Sequence, residues 1–297
     1  MVSPQNTGND NNEKIVILPP INEATILSYF VPGPPPIPET LRTILEDYSK
    51  IPHHDVESHL ITIRTKAWAV RKYPCIGRWH FLRLTLPSFP QWDEILQRVQ
   101  RHEKFLEVGA FLGAETRVLA SSPGVSSQDL YALDLFPEYL KLGFDLFRDA
   151  DRLPRDHFIG ADLFDEGNER VKLLEGRMGF VFAGAFLHLF TLSRMCEALY
   201  RFVRLLRPEA GVLVLGRLLG RDKPGETMHE GMEQTRTYKH NSTTFRKMWE
   251  DVGLMTGSKW ELWIEEAELN SNEGATGRDV WAPEGSLVLR FCARRVE

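Results

Sequence analysis

The sequence predicts an α/β protein: a doubly wound, Rossmann-like parallel sheet with an antiparallel edge strand, preceded by a helical lid. Three observations carry that prediction. From residue 105 onward, short apolar runs alternate with helical patterns, which is how strands covered on both faces of a parallel sheet read. A glycine turn, Gly109 to Gly113, joins the first of those runs to a helix. Two closing apolar runs, separated by a Gly/Asn-rich stretch at 270–279, read as an antiparallel pair at a sheet edge.

Composition sets the outer limits. The chain has 297 residues, 36 Lys plus Arg against 41 Asp plus Glu, and a net charge of −5, with 42% apolar residues. That is ordinary globular composition. A mildly acidic chain without a basic block is not built to bind nucleic acid. Cys75, Cys196 and Cys292 stand far apart, which is neither a disulfide framework nor zinc spacing; reduced thiols in a cytoplasmic protein are expected. The histidines at 53, 54 and 59 do not converge on an ion, so no metal is expected. The longest apolar run, Phe180 to Phe190, contains His188 and falls short of the roughly 20 residues a membrane helix needs. The polar start, Met1 to Lys14, has no signal-peptide core.

The elements follow in order. Residues 1–13 lack an apolar period and are expected to be disordered. Residues 15–37 mix Ile15 to Leu18 and Ile26 to Phe30 with prolines at 19, 20, 32, 34, 35, 36 and 38, which forbid long regular structure. Such an arm is expected to lie extended over its own surface or a partner's, and to reach a second subunit. Pro38 opens a helix to about Ser49. Asp55 precedes another, with Val56, Leu60, Ile63, Ala67 and Val70 on one face. An aromatic segment with Trp79, Phe81, Phe89 and Trp92 leads to a helix over about Gln91 to His102. Residues 1–37 thus form an arm, 38–103 a lid and substrate-side segment, and 104–297 the cofactor-binding domain. In that domain the strands are Phe105–Val108, Leu130–Leu133, His157–Ala161, Phe180–Gly184 and Val212–Gly216. Helices fall at about Leu112–Ala120, Pro137–Arg152 and Leu192–Leu206. A last helix, Thr244 to Val252, precedes the strands Lys259–Ile264 and Ser286–Cys292.

The strand ends carry the chemistry. The first ends in Glu107, then Gly109 and Gly113, where a backbone without Cβ atoms can approach a ligand. The second ends in Asp134, followed by Leu135; an acid there can accept both ribose hydroxyls of an adenosine. The third ends in Asp162-Leu163, where a carboxylate can accept the adenine amino group beside a backbone N–H. The fourth runs into Gly184-Ala185 and then His188. The turn reads G-x-x-x-G rather than G-x-G-x-x-G, which disfavours a nicotinamide dinucleotide. Acid, glycines, ribose acid and adenine acid in this order are the layout of class I S-adenosylmethionine-dependent methyltransferases. The candidate cofactor-binding residues are therefore Glu107, Gly109, Gly113, Asp134, Leu135, Asp162, Leu163 and Ala185.

A more specific resemblance lies in Trp68-Ala-Val, Tyr73-Pro-Cys-Ile-Gly77, Glu107-Val-Gly with Gly113, Gly143-Phe-Asp-Leu-Phe-Arg-Asp149 with Asp151-Arg-Leu153, His188-Leu-Phe190, His240-Asn241 and Met248-Trp-Glu-Asp-Val-Gly253. These stretches resemble the fungal methyltransferases of meroterpenoid clusters, the enzymes of austinol- and terretonin-type pathways, over residues 38 to 295. The resemblance implies S-adenosyl-L-methionine as cofactor, held at Asp134, Asp162 and Leu163, and methyl-ester formation on a farnesylated aromatic polyketide acid, in a homodimer. Phe111 takes the place of the middle glycine of the general motif, as is usual in this family. Gly184-Ala185 stands where many relatives have serine.

Methyl transfer from a sulfonium is an in-line displacement. A carboxylate acceptor, with a pKa of roughly 4, needs no general base at neutral pH; a phenol would, and His188 is then the candidate. Arg217, past the fifth strand, can pair with a substrate carboxylate. Trp68 and Tyr73, with Trp79 and Phe81, can wall a pocket for an apolar tail. The alternatives are a cyclase or isomerase that keeps the methyl group, and a non-enzymatic regulator on the same fold.

Overall fold

The structure, a computed structural model, describes residue 27 and residues 29–228, 235–269 and 283–297. The expectations for residues 1–26 and for the 270–279 loop fall outside the described residues. Pro38 opens helix α1, Glu39–Thr43, and the predicted helix continues as a π-turn to Tyr48. Helix α2, Val56–Val70, buries Val56, Leu60, Ile63 and Ala67 on the predicted face. A short α3, Pro74–Gly77, starts at its proline, and α4 spans Trp92–Gln100.

The doubly wound part then unfolds in chain order. It runs β1 Phe105–Val108, α5 Ala114–Ala120, β2 Leu130–Asp134, α6 Pro137–Phe147, β3 Phe158–Gly160, a single turn α7 Glu169–Lys172, β4 Phe180–Gly184, α8 Leu192–Leu205 and β5 Leu213–Arg221. A hairpin, β6 Gly225–Met228 and β7 Arg236–Lys239, follows; helix α9 Ser242–Thr256, β8 Trp260–Glu268 and β9 Ser286–Arg295 close the fold. The seven-stranded sheet has the order β3-β2-β1-β4-β5-β9-β8. Strands β1 to β5 pair in parallel, and β9 inserts antiparallel between β5 and β8. The reversed strand is thus one place in from the edge. Strand β5 outruns its predicted end because β9 keeps pairing with it as far as Arg221.

Alternating strand residues feed two cores. Leu106, Val181 and Val214 pack with Leu199, Phe202, Phe245 and Trp249; Phe105, Phe180, Phe182 and Leu213 pack with Leu86, Phe89 and Ile95. A third cluster joins Leu45, Leu60 and Ile63 to Leu146 and Phe147 of α6, seating the N-terminal helices on the sheet's helical layer. One buried ion pair fixes the junction. Arg117 of α5 meets Asp149 at 3.0 Å with both side chains fully buried, and Tyr48 Oη donates to the same carboxylate at 3.0 Å. Among the described residues no helix is long and apolar enough to cross a membrane.

The described part of the arm lies on its own chain. The Val31 N–H donates to Gly77 O at 3.0 Å, and Val31 O accepts from Trp79 Nε1 at 3.0 Å and Arg64 Nη2 at 2.7 Å. These residues dock on α2 and α3 of their own chain, one of the two surfaces expected for the arm.

Candidate active site

Parallel register brings the ends of β1 to β4 to one side of the sheet, and a cleft opens there. Val108, Gly109, Asp134, Leu135, Asp162 and Leu163 line it, together with Phe164, Phe186, Phe190 and Arg194. Gly109 is required on two counts. Its φ is 65°, and a Cβ on it would stand 2.5 Å from the Phe186 ring. After it, the loop turns through Phe111, also left-handed at φ 51°.

Asp134 is buried and holds that loop. Its Oδ2 accepts the Phe111 N–H at 2.8 Å and its Oδ1 accepts the Phe136 N–H at 2.9 Å. Burial pushes its carboxyl up to about 6, against the pull of those two donors. One donor per oxygen leaves lone pairs for two further hydroxyls. Asp162 Oδ1 accepts the Phe164 N–H at 2.9 Å, and the Ala161 N–H donates to Asp134 O at 2.9 Å, so the two acid-bearing turns are tied side by side. Two carboxylates with acceptor capacity and a strand-end glycine on one cleft fit the ribose, amino group and backbone approach of an adenosine-type cofactor.

Other predicted residues stand elsewhere. Glu107 does not line the cleft. Its Oε2 accepts from the Thr116 N–H at 2.8 Å and Thr116 Oγ1 at 2.6 Å, holding the first turn of α5, and burial pushes it up to about 8. Gly113, φ 64°, is the N-cap of α5; a Cβ there would lie 2.4 Å from Arg117 Nη1, so it makes room for the buried ion pair. Ala185 is exposed, with φ 54°, and its N–H donates to Arg217 O at 2.8 Å, prolonging the β4–β5 pairing. His188 is buried in a 3₁₀ turn over Leu187–Leu189, and its carbonyl accepts from Lys239 Nζ at 3.1 Å. Trp68 packs edge-on to Phe30, centroids 5.3 Å apart, and beside Gly77; Trp79 is buried against Arg64. Both serve the packing of the N-terminal helices. Tyr73 stands behind the β2 turn: its ring meets Phe136 edge-on at 6.3 Å. Burial, with the nearby Asp134 charge adding to it, pushes its hydroxyl up to about 12. Arg217 sits half-buried on β5, in register with Gly184 of β4.

Sequence reasoning missed Phe164, Phe186, Phe190 and Arg194. The aromatics follow strand ends within apolar stretches, and Arg194 lies in the first turn of an amphipathic helix, so none carries a chemical signature of its own. The signal that was available is their position, directly after the strand-end acid and the small-residue turn.

A 3-2-1-4-5 parallel sheet extended by an antiparallel strand, with a glycine turn and two strand-end acids on one cleft, defines a class I S-adenosyl-L-methionine-dependent methyltransferase. Comparison with known proteins is more specific. Residues 29–82 match a family model described as the meroterpenoid methyltransferase N-terminal domain. The chain is 38% identical over 266 residues to O-methyltransferase phiE of a fungal species (strain ATCC 74256), covering 86% of this chain and 88% of that one. It is 34% identical to O-methyltransferase atr3 of Stereocaulon alpinum, over 94% of this chain and 80% of that one. It is 33% identical to the asnovolin E/chermesin D methyltransferase nvfJ of Aspergillus novofumigatus, over 80% and 86%. The chain belongs to this family of fungal meroterpenoid-pathway methyltransferases.

Proposed function

We propose that the protein is an O-methyltransferase that esterifies the carboxylate of a lipophilic acid, a farnesylated aromatic polyketide acid, in a meroterpenoid pathway. The observation that carries the choice of a carboxylate is a row across the sheet. Glu265, Arg290, Arg217 and Gly184 stand in register on β8, β9, β5 and β4. Arg290 is answered by Glu265 and by Ser88 Oγ at 2.6 Å. Arg217 is the next cation in that row, half-buried in the middle of β5 and in register with Gly184, the last residue of β4. A guanidinium there suits a bidentate carboxylate. The naming of phiE and atr3 as O-methyltransferases supports oxygen as the acceptor.

When bound, S-adenosylmethionine supplies a methyl group on a positively charged sulfur, open to in-line displacement. Asp134 would hold the ribose hydroxyls and Asp162 the adenine amino group. The acceptor, ionised at neutral pH, asks the protein for orientation and for removal of water. Arg217 would supply the first and the apolar side chains around Tyr73 and Phe136 the second. Orientation alone is worth up to about 7–11 kcal/mol in good model reactions. We infer a homodimer as well, from the resemblance of the sequence to its family; light scattering would test it.

The deciding experiment gives the purified protein labelled S-adenosylmethionine and a farnesylated aromatic acid, alongside the same compound with its carboxyl blocked as an amide. The expected product is heavier by one methyl group, loses its label on mild alkaline hydrolysis, and forms only from the free acid. Label stable to alkali, or a product of unchanged mass, overturns the reading.

A further inference from the structure

The aromatic side chains of the cleft form a chain. Phe186 stands against Gly109, Phe190 meets Phe186 edge-on at 5.0 Å, and Phe164 meets Phe190 edge-on at 5.4 Å. The chain ends in a cation, since the guanidinium carbon of Arg194 lies 3.5 Å from the Phe164 ring centroid, the spacing of flat stacking. Three contacts hold it so. The Arg194 N–H donates to the α8 N-cap hydroxyl of Thr191 at 3.4 Å. Nη1 pairs with Glu197 at 2.7 Å. The Phe190 carbonyl accepts the Tyr238 N–H of β7 at 2.8 Å, fixing the turn that leads into α8. An arginine on an exposed helix start has no need to lie down on a ring; this one does, and it lines the cleft while 42% of its side chain stays open.

We propose that Arg194 is a binding residue for the cofactor's adenine: its guanidinium plane, braced by Phe164 on one face and Glu197 at one edge, closes the adenine end of the cleft and presents N–H donors to the purine ring nitrogens. Position argues for the adenine end. Phe164 directly follows Asp162 and Leu163, the residues read as facing the base, whereas Gly109, at the other end of the aromatic chain, faces the strand-end turn. Chemistry argues the same way. A purine offers a π face and ring-nitrogen acceptors, and a guanidinium has a flat face and donors only. Asp162 has the complementary acceptor for the amino group. Glu197 offsets the charge, so the cation does not oppose a positively charged cofactor. The inference rests on the reading of this cleft as the cofactor site.

The test is calorimetry on the full chain with two ligands, S-adenosylhomocysteine and methylthioadenosine, which lacks the amino-acid end. Arg194→Ala is expected to weaken both by about tenfold, the size of a lost hydrogen bond from a charged donor. Arg194→Lys, which keeps the charge and loses the plane, is expected to recover less than half of that loss. Thermal melting reports whether each variant is folded, and Arg194→Lys carries the test if the alanine variant is not. Unchanged affinity in a folded Arg194 variant, full recovery by lysine, or a loss seen with S-adenosylhomocysteine but not with methylthioadenosine overturns the proposal. Asp134→Ala, run alongside, separates the two readings. If it weakens both ligands while Arg194→Ala weakens neither, only the role of Arg194 fails; if neither variant weakens either ligand, the cleft itself has been misassigned.

Discussion

Asp134 Oδ2 accepts the main-chain N–H of Phe111 at 2.8 Å, so the acid that ends β2 also holds the loop that leaves β1. Phe111 needs holding. At φ 51° it occupies the left-handed region, where a bulky residue pays roughly 1–2 kcal/mol. Its ring is fixed in compensation, edge-on to Tyr139 at 4.6 Å and to Phe81 at 5.6 Å. On the proposed ribose assignment, Asp134→Ala removes a cofactor acceptor and loosens the loop together. We expect S-adenosylhomocysteine to bind about 1–3 kcal/mol more weakly, the cost of losing a buried, hydrogen-bonded charged partner, and the melting temperature to shift as well. Asp134→Asn, which keeps one carbonyl acceptor, should fall between. Calorimetry showing wild-type affinity for the alanine variant contradicts the ribose assignment.

On the same assignment, this carboxyl should make cofactor binding pH-dependent. Burial holds it at about 6 in the folded chain against 3.8 for an ordinary aspartate. The ionised form is the one that accepts two hydroxyls. Affinity should be full above about pH 7 and drop as pH falls through 6, by about tenfold at pH 5. Its contribution to stability has the opposite sign. Because the folded state holds the proton more tightly, that contribution is complete below pH 3.8 and disappears as pH rises through about 6. Affinity that improves toward pH 5 would reverse the assignment.

Glu107 separates structure from binding. Its Oε2 is taken by Thr116, and burial raises it from 4.5 to about 8. Stability from its protonated form is complete below pH 4.5 and lost as pH rises through about 8. Glu107→Gln keeps a carbonyl acceptor for Thr116 and cannot ionise. The variant should therefore keep its melting temperature from pH 6 to 9 better than wild type, while S-adenosylhomocysteine affinity stays within about twofold. A tenfold loss of affinity would return Glu107 to the cofactor site.

The contrast between Asp134 and Glu107 shows where sequence reading reached and where it stopped. Strand-end position identified both acids, because runs such as Phe105–Val108 and Leu130–Asp134 are legible as buried strands. It did not say which way each carboxylate turns. Glu107 turns inward because a helix start with unpaired N–H groups lies within reach. The hairpin β6–β7 escaped notice because each of its strands is only four residues long, too short a signal to separate from loop. The Phe164–Arg194 stack was invisible for another reason: its members are 30 positions apart, and only the packing of α8 against the β3 turn brings them together.

The last prediction concerns the lid. Arg64 is buried, with 1% exposure, yet pairs with no carboxylate among the described residues. Its Nη2 donates to Val31 O and Gly77 O, each at 2.7 Å, and Nε to Ile76 O at 3.3 Å. The guanidinium lies 3.5 Å from the Phe30 centroid and 4.6 Å from that of Trp79. One planar cation thus fastens the arm, helix α2 and the end of α3 to one another, and burial draws its pKa down to only about 10, so it stays charged. Lysine cannot reproduce a flat fork held between two rings. Arg64→Lys should release residues 29–37, seen as faster limited proteolysis there, with a loss of about 2–3 kcal/mol for carbonyls left without donors. Arg64 and its partners do not line the cleft proposed for the cofactor. The variant should therefore bind S-adenosylhomocysteine normally while its KM for the acceptor rises. A cofactor Kd that worsens with an unchanged acceptor KM would show that the lid serves the cofactor instead.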